Sequence, residues 1–227
     1  MKPNQMIVTI DGPAGAGKST AARALARRLG WVYLDTGAMY RAVAVAAINA
    51  DIGLSDEARL SEMLDRIDLK IKSEADSNRI FLGDWDITEE IRRPEISVPA
   101  SAFSALPQVR GAMVPMQRKI GREGRIVTEG RDQGTVVFPG AMAKFFLDAL
   151  PSERAKRRFK ELRQKGENVN LEDISRAMNE RDQADSSRDL SPTRPADDAI
   201  LIDSTGLNSQ EVVDRMFDLV MERIGRP

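Results

Sequence analysis

The stretch Gly12-Pro13-Ala14-Gly15-Ala16-Gly17-Lys18-Ser19 matches the pattern G-x-x-x-x-G-K-[ST] at every fixed position. The β-branched segment before it, residues 6–10, predicts a buried parallel strand. The apolar spacing after it predicts a helix that ends at Gly30. In such a loop the backbone N–H groups surround a phosphate, Lys18 neutralises its oxygens and the Ser19 hydroxyl meets Mg²⁺. An accidental glycine-rich turn is the alternative, and both flanks argue against it.

The composition excludes several kinds of chemistry. The chain has 227 residues and a mass of 25.1 kDa, which suits one large α/β domain with a small insert. It contains no cysteine and no histidine, so thiol nucleophiles, disulfides and imidazole bases are all excluded. Phosphoryl transfer survives this exclusion, because it depends on positioning and on cationic stabilisation more than on proton transfer.

Charge and hydropathy predict a cytoplasmic protein without a membrane or nucleic-acid partner. The longest apolar run, residues 42–48, is far shorter than the roughly 20 residues that span a bilayer, and the polar residues 2–5 do not resemble a signal peptide. The net charge of -1 and the pI of about 5.8 argue against binding to nucleic acid. The 25 arginines outnumber the 9 lysines, as a site for several phosphates would require. Codon usage that favours arginine is the alternative.

The alternation of strand and helix patterns predicts a five-stranded parallel sheet flanked by helices, with the glycine-rich loop after its first strand. The predicted strands are residues 6–10, 31–35, 126–129, 144–148 and 200–203. The predicted helices after the first are 36–50, 56–66, 94–104, 107–121, 152–165, 171–183 and 208–224. Between them, residues 69–72 and 79–82 alternate as a hairpin does, with turns at 76–78 and 83–84, and predict a small antiparallel insert.

Three further segments carry a resemblance to a known family. They are Asp35-Thr36-Gly37-Ala38-Met39-Tyr40-Arg41, Glu129-Gly130-Arg131-Asp132-Gln133-Gly134-Thr135 and Arg181-Asp182-Gln183-Ala184-Asp185-Ser186-Ser187-Arg188. Together with the P-loop, which is the glycine-rich loop of residues 12–19, they resemble the bacterial cytidylate kinases from about residue 5 to residue 220. Two positions depart from the usual pattern of that family. Many members have serine where this chain has Thr36, and aspartate where it has Glu129.

The resemblance implies an ATP-dependent kinase of CMP and dCMP with a P-loop NTPase fold and Mg²⁺ as cofactor. It implies a core at about 1–60 and 96–227, a monophosphate-binding insert at about 61–95 and a lid at about 151–168. The implied CMP-binding residues are Thr36, Tyr40, Arg41, Arg131 and Arg181 for the phosphate, Ser101, Arg110 and Asp132 for the base, and Asp185 and Arg188 for the sugar. The ATP-binding residues are Gly12, Pro13, Ala14, Gly15, Ala16, Gly17, Lys18, Ser19, Thr20 and Arg157, with Ser19 as the metal ligand.

Cytosine itself supports part of this assignment. Its N4 amino group is a donor beside two acceptors, so a carboxylate and a guanidinium together complement its edge. Uracil carries O4 in place of the amine, and this mismatch should cost about 1–3 kcal/mol. Each of these residues also has a purely structural interpretation. Asp132 could form a surface ion pair with Arg131, Arg110 could be a solvated helix residue, and Tyr40 could pack in the core. Arg181 and Arg188 could form a salt-bridged helix end, and Ser101 could be an ordinary helix serine.

The basic helix after Pro151 is interpreted as the lid. Arg154, Arg157 and Arg158 lie at i, i+3 and i+4 and are predicted to share one helix face. The resemblance implies that this helix closes over ATP and excludes water. A solvated basic helix balanced by Glu153 and Glu161 is the alternative. The residues expected to stabilise the transferring group are Lys18, Arg131, Arg154, Arg158 and Arg181.

Other functions remain open at this point. A kinase of UMP, AMP or a small metabolite such as shikimate would share the P-loop, but would not predict the pair Arg110 and Asp132. A GTP-dependent switch would require an N-K-x-D motif, and the chain has no Asn-Lys dipeptide. We expect a monomer that binds small-molecule substrates.

Overall fold

The computed structural model describes residues 6–73 and 78–225. Its main sheet has five parallel strands in the order β2-β6-β1-β7-β8, which confirms the predicted α/β architecture. These strands are β1 (Ile7–Asp11), β2 (Val32–Asp35), β6 (Ile126–Gly130), β7 (Ala143–Asp148) and β8 (Ile200–Asp203). Each predicted core strand is present within one residue of its predicted ends. The carboxyl ends of β1, β2 and β6 meet at one edge of the sheet, where ligands of open α/β folds bind.

Helices cover both faces of this sheet. They are α1 (Lys18–Leu29), α2 (Thr36–Asn49), α3 (Glu57–Asp65), α4 (Ser97–Ala105), α5 (Pro107–Gly121), α6 (Pro151–Gln164), α7 (Leu171–Ser186) and α8 (Ser209–Ile224). The first helix ends at Gly30 as predicted, with a left-handed φ of 66° that glycine adopts without strain. Within the described residues, no helix is long and apolar enough to cross a membrane.

The central strand β1 explains how both faces are covered. Its successive side chains point to opposite faces: Ile7 packs with α2 and α5, whereas Val8 and Ile10 pack with α1 and α8. All five residues of β1 are buried, as expected for the middle of a parallel sheet. On the Ile7 face the strand ends at the buried carboxylate of Asp11. The P-loop therefore begins from a rigid, fully packed strand.

The predicted insert is a three-stranded antiparallel sheet. It consists of β3 (Leu69–Ser73), β4 (Asn78–Leu82) and β5 (Trp85–Asp86), followed by short 3-10 turns at Glu90–Arg92 and Pro94–Ile96. Ile80 and Ile87 are fully buried in the same apolar cluster as α2. The turn predicted at 76–78 lies outside the described residues except for Asn78. The insert thus shares the core of the larger sheet.

The short strand β5 and the 3-10 turn at Glu90–Arg92 were not predicted, and neither was an element next to the site. A five-residue π-helix, Gln133–Val137, follows β6 and the pair Arg131–Asp132. Its first two N–H groups, those of Gln133 and Gly134, donate to the Asp11 carboxylate at 2.8 and 2.7 Å. Side chains that satisfy the free N–H groups of a helical segment stabilise its start. The end of β1 therefore holds the segment that follows Asp132.

Candidate active site

The P-loop has the backbone that its glycines predict. Gly12, Gly15 and Gly17 have φ values of 144°, 75° and 96°, which other residues rarely adopt. A Cβ on Gly12 would lie 2.0 Å from the carbonyl oxygen of Leu147, so no larger residue fits there. The loop leads into α1, which has no acidic residue in its first turn. The positive end of the helix dipole is therefore not neutralised by a side chain of that turn, and it would favour an anion bound at the loop.

Lys18 is the first residue of α1, directly after the last glycine of the loop. It is buried, and its Nζ donates to the carbonyl oxygen of Pro13 at 2.6 Å. Burial lowers the pKa of Lys18 to about 7, and the positive charges of Arg131 and Arg181 act in the same direction. Cations from the P-loop and from two later segments therefore act on one another at this point, where anionic groups would relieve their repulsion.

A cleft beside the P-loop collects all ten residues that were predicted to bind CMP. These residues are Thr36, Tyr40, Arg41, Ser101, Arg110, Arg131, Asp132, Arg181, Asp185 and Arg188. The four remaining lining residues, Gly37, Ala100, Ser104 and Gly130, were not predicted. Gly37, Ala100 and Gly130 adjoin predicted residues, and Ser104 lies one helical turn from Ser101. Helical periodicity was therefore a signal for Ser104 alone. Five guanidinium groups face two carboxylates, which makes the cleft strongly cationic.

Arg110 and Asp132 form an ion pair inside this cleft. Their side chains are only 10% and 4% exposed, so Arg110 is not a solvated helix residue and Asp132 is not a surface residue paired with Arg131. Arg110 also lies 5.8 Å from the centre of the Tyr40 ring. Tyr40 packs in the core and lines the cleft as well. Buried charges are costly unless they are paired, so each member of this pair keeps the other in place.

Asp185 organises the arginines at the other side of the cleft. Its carboxylate accepts from Arg131 at 3.0 Å, from Arg188 at 2.6 Å and from the Ser101 hydroxyl at 3.1 Å. Burial alone would raise the pKa of Asp185, but the charges of Arg131, Arg188 and Arg181 hold it below its usual value. The buried Nε of Arg181 has no hydrogen-bond partner among the described residues. It lies 3.8 Å from an oxygen of Asp185, which is an ion-pair distance but longer than a hydrogen bond.

The two departures from the family pattern contact each other. The Thr36 hydroxyl donates to the Glu129 carbonyl oxygen at 2.6 Å, while the Glu129 carboxylate accepts from the Tyr33 hydroxyl at 2.6 Å. Thr36 keeps the hydroxyl that serine would supply, and the longer Glu129 side chain reaches Tyr33. Both residues therefore make a hydrogen bond at the shared end of β2 and β6.

Arg41 has two roles that compete for its guanidinium. It lines the cleft, yet it donates to the Ile91 carbonyl oxygen at 3.1 Å and to the Ser97 hydroxyl at 3.0 Å. Burial lowers the pKa of Arg41. Through these bonds Arg41 attaches the end of the insert to α2, in addition to lining the cleft.

The three arginines of the basic helix do not share one environment. Arg154 is buried and donates to the carbonyl oxygens of Ala149 and Ala14, at 3.0 and 3.1 Å. Arg157 donates to the Ser204 hydroxyl at 3.0 Å and approaches the Ala16 carbonyl oxygen. Only Arg158 is balanced within its own helix, by Glu161 at 2.8 Å. The structure therefore brings two of the three arginines onto the P-loop backbone.

Three residues that contact this site were missed from the sequence. Asp11 holds the π-helix after Asp132, Ser204 donates to Ala16 at 3.1 Å, and Asp182 accepts from the backbone N–H of Ala14 at 3.3 Å. Asp182 stands beside the predicted Arg181, and that proximity was its only sequence signal. Nothing local distinguishes Ser204 from other loop serines.

The residues around Ser19 fit a magnesium ion that is held mainly by phosphates. Ser19 is exposed at the start of α1 and offers a hydroxyl oxygen. Among residues 6–73 and 78–225, no cluster of three or more acidic side chains could form a protein cage for a metal. Mg²⁺ usually combines one or two protein oxygens with substrate phosphates and water, so the donor set agrees with such an ion.

Comparison with known proteins agrees with this geometry. The sequence profile of a family described as Cytidylate kinase matches residues 8–222. A protein named cytidylate kinase from Carboxydothermus hydrogenoformans is 47% identical over 215 residues, covering 95% of this chain and 97% of its own. One from Syntrophotalea carbinolica is 46% identical and covers 96% and 93%. Among solved structures, an uncharacterised protein from Eubacterium ventriosum matches with a TM-score of 0.51 at 14% identity, covering 96% of this chain and 99% of its own; this likeness concerns the fold alone.

Proposed function

The chain belongs to the cytidylate kinase family, and we propose that it transfers the γ-phosphoryl group of ATP to CMP and dCMP, giving CDP and dCDP. The observation that carries this proposal is the cationic cleft beside the P-loop, in which ten side chains drawn from residues 36–188 converge. The reaction belongs to pyrimidine nucleotide metabolism, and we assign it to the cytoplasm. The enzyme acts on its small-molecule substrates as a monomer.

The pair Arg110 and Asp132 reads the base. The Asp132 carboxylate accepts a hydrogen bond from the N4 amino group of cytosine, and the Arg110 guanidinium donates to the N3 and O2 acceptors of the base. Ser101 lies beside them and already contacts Arg188 and Asp185, so base and sugar are read by one connected group of side chains. A uracil base would place O4 against the carboxylate with no proton between them, which explains the preference for cytosine.

The phosphates are held by cations from several segments. Arg41, Arg131 and Arg181 line the cleft around the acceptor phosphate, and Lys18 lies on the donor side. The acceptor oxygen is already anionic near neutral pH, because the second pKa of a phosphate monoester is about 6. No general base is needed, which fits a chain without histidine. Catalysis then consists of bringing two polyanions together and neutralising the charge between them.

Mg²⁺ would be held by Ser19 and the phosphates of ATP, and when bound it neutralises negative charge on the transferred group. Thr20 and Arg157 complete the residues assigned to ATP. Residues 61–95 form the monophosphate-binding insert and residues 151–168 the lid, with the core at 1–60 and 96–227. Arg154 and Arg158 belong to that lid; Arg154 acts through its bonds to the P-loop backbone, while Arg158 is the more exposed of the two.

A substrate panel tests the proposal. The purified protein is given ATP and Mg²⁺ with CMP, dCMP, UMP, AMP or shikimate, and formation of ADP is followed. We expect turnover with CMP and dCMP to exceed turnover with the others by at least tenfold. The variant K18A supplies the background, because it lacks the cation that meets the β- and γ-phosphates. A wide preference for UMP, AMP or shikimate would refute the assignment of the base-reading pair.

A further inference from the structure

The helix α7 contacts both halves of the site through neighbouring residues. Arg181 and Asp185 line the acceptor cleft, whereas Asp182 turns toward the P-loop. One Asp182 oxygen accepts from the Ala14 N–H at 3.3 Å, and the other pairs with the Arg154 guanidinium. Among the described residues of α7, only Asp182 makes a hydrogen bond to the P-loop.

Arg154 completes a closed set of contacts around the backbone of one residue, Ala14. Its Nη1 donates to the Ala14 carbonyl oxygen at 3.1 Å while it pairs with Asp182. Ala14 therefore has both of its backbone polar groups engaged, the N–H by α7 and the carbonyl by α6. The Arg154 side chain is only 6% exposed, and that of Asp182 is 19% exposed. A charge-assisted pair at such low exposure is stronger and less screened than one at the surface.

Apolar packing supports the same contact independently. Ala14 packs against a small cluster that includes Ala155, Ile174 and Met178, and this cluster is separate from the two that cover the main sheet. A Cβ on Gly15 would lie 2.8 Å from Met178 Cε and 3.0 Å from the Arg154 carbonyl oxygen. The helix pair α6–α7 therefore rests directly on residues 14 and 15 of the P-loop.

This support matters because the loop must hold an unusual backbone shape. Three of its glycines have left-handed φ values, and glycine has the largest conformational freedom to lose when a structure becomes ordered. If the loop is already ordered before the ligand binds, less conformational entropy is lost on binding, and the affinity is higher. Contacts that fix Ala14 and Gly15 therefore favour the binding of a triphosphate.

We propose that Asp182 is a positioning residue of the donor site. Through its bond to the Ala14 N–H and its ion pair with Arg154, it fixes the P-loop backbone in the shape that accepts the β-phosphate. It acts through the loop and does not touch the acceptor, although it stands next to Arg181 on the same helix. The inference deepens the proposed function, because it rests on the assignment of ATP to the P-loop.

Binding experiments on two variants test this role. The probe is the magnesium complex of AMP-PNP, an ATP analogue that cannot be hydrolysed, and its Kd is measured by calorimetry. In D182A both contacts are lost, and we expect the Kd to rise about tenfold, as is typical when a coupled pair of contacts is removed. In D182N the amide oxygen can still accept from Ala14 but the ion pair is lost, so a smaller rise of about threefold is expected.

The matched control is D173N. Asp173 lies on the same helix, is exposed and pairs with Arg176 at 3.0 Å, its one ion pair among the described residues. The Kd of D173N for the analogue should therefore stay within twofold of the wild type. The Kd for CMP, measured on every variant, should also stay within twofold, which a generally damaged protein would not show. If D182A does not fold, the Kd of D182N for the analogue is sufficient to test the proposal.

Two outcomes would overturn the inference. The first is that D182A and D182N bind the analogue with the same Kd as D173N. The second is that D182A and D182N lose as much affinity for CMP as they lose for the analogue. Since no turnover of CMP is needed, failure of CMP as a substrate in the wild type would refute the proposed function without affecting this result.

Discussion

Asp132 and Arg110 combine an acceptor and a donor in one buried pair, and a single substitution can reverse the hydrogen bonding of one partner. In D132N the amide oxygen can remain bonded to Arg110, which leaves the amide N–H₂ facing the base. That group repels the N4 amine of cytosine and donates to O4 of uracil. We expect kcat/KM for CMP to fall by about 5- to 150-fold, equivalent to about 1–3 kcal/mol, and the ratio of UMP to CMP turnover to rise.

The control for D132N is D84N. Asp84 lies on the exposed turn of the insert, 3.9 Å from Lys70, and its replacement should leave both substrates unaffected. Steady-state kinetics with each nucleotide provide the measurement. If D132N lowered the activity with CMP and UMP by the same factor, Asp132 would have no part in choosing the base.

Lys18 predicts a pH dependence of nucleotide binding. Burial and the neighbouring arginines lower its pKa to about 7, so the side chain loses its positive charge as the pH rises through that value. The free enzyme should therefore bind the magnesium complex of AMP-PNP progressively more weakly between pH 7 and pH 9. The limit is a tenfold loss per pH unit, since only the charged form attracts the phosphates.

The comparison within the same experiment is CMP, whose site relies on arginines that stay charged throughout this range. Its Kd should not change between pH 7 and pH 9. A constant affinity for the analogue up to pH 9 would contradict the lowered pKa of Lys18.

At the scale of elements, the π-helix and α7 each contact both the acceptor cleft and the segment around the P-loop. The π-helix begins directly after Asp132 and is held by Asp11, the last residue before the P-loop. The helix α7 contacts the acceptor cleft through Arg181 and Asp185 and the P-loop through Asp182. The strand end and the helix therefore connect the donor and acceptor sides by two independent routes.

The helix α5, which carries Arg110, contains two glycines with opposite expectations. A Cβ on Gly111 would meet nothing within 4 Å, whereas one on Gly121 would lie 2.5 Å from Cε1 of the Phe138 ring, which is buried. G111A should stabilise the protein by about 0.5–1 kcal/mol, because alanine loses less backbone entropy in a helix. G121A should destabilise it by about 1–3 kcal/mol, because the packed ring has to move.

Urea unfolding of the two alanine variants measures this difference as a shift of the midpoint at constant m-value. The two variants control for each other, since both make the same change in one helix. Equal urea midpoints for G111A and G121A would mean that the Phe138 ring can accommodate a methyl group on residue 121 without a loss of stability.

At the scale of the whole molecule, ligand binding should raise the thermal stability. CMP at 100 times its Kd adds about 2.7 kcal/mol to the free energy of unfolding, and for a chain of this size each kcal/mol raises Tm by about 2–4 °C. We therefore expect a rise of about 5–10 °C. The same concentration of UMP should give a clearly smaller rise, and equal shifts for both nucleotides would show that the cleft does not distinguish the bases.

Much of this molecule follows from local patterns in its sequence. The P-loop motif, the flanking strand and helix, and the five strand segments are each read from neighbouring residues, because a strand repeats its environment every second residue and a helix about every 3.6 residues. Eight of the ten residues predicted to bind CMP lie in the three segments that resemble a family, and Ser101 and Arg110 were assigned through the same resemblance. All ten line one cleft. The sequence by itself therefore determined the fold class and predicted ten of the residues that line the cleft.

Only the tertiary structure decided what each side chain binds. Arg154 and Arg158 are four residues apart in one helix, yet one is buried against the P-loop and the other pairs with Glu161 at the surface. Asp11, Asp182 and Ser204 look like ordinary polar residues until folding brings them to a backbone group more than 100 positions away. Hydrogen bonds and ion pairs depend on the distance between atoms in space, and that distance is set by the packing of elements that no local pattern encodes.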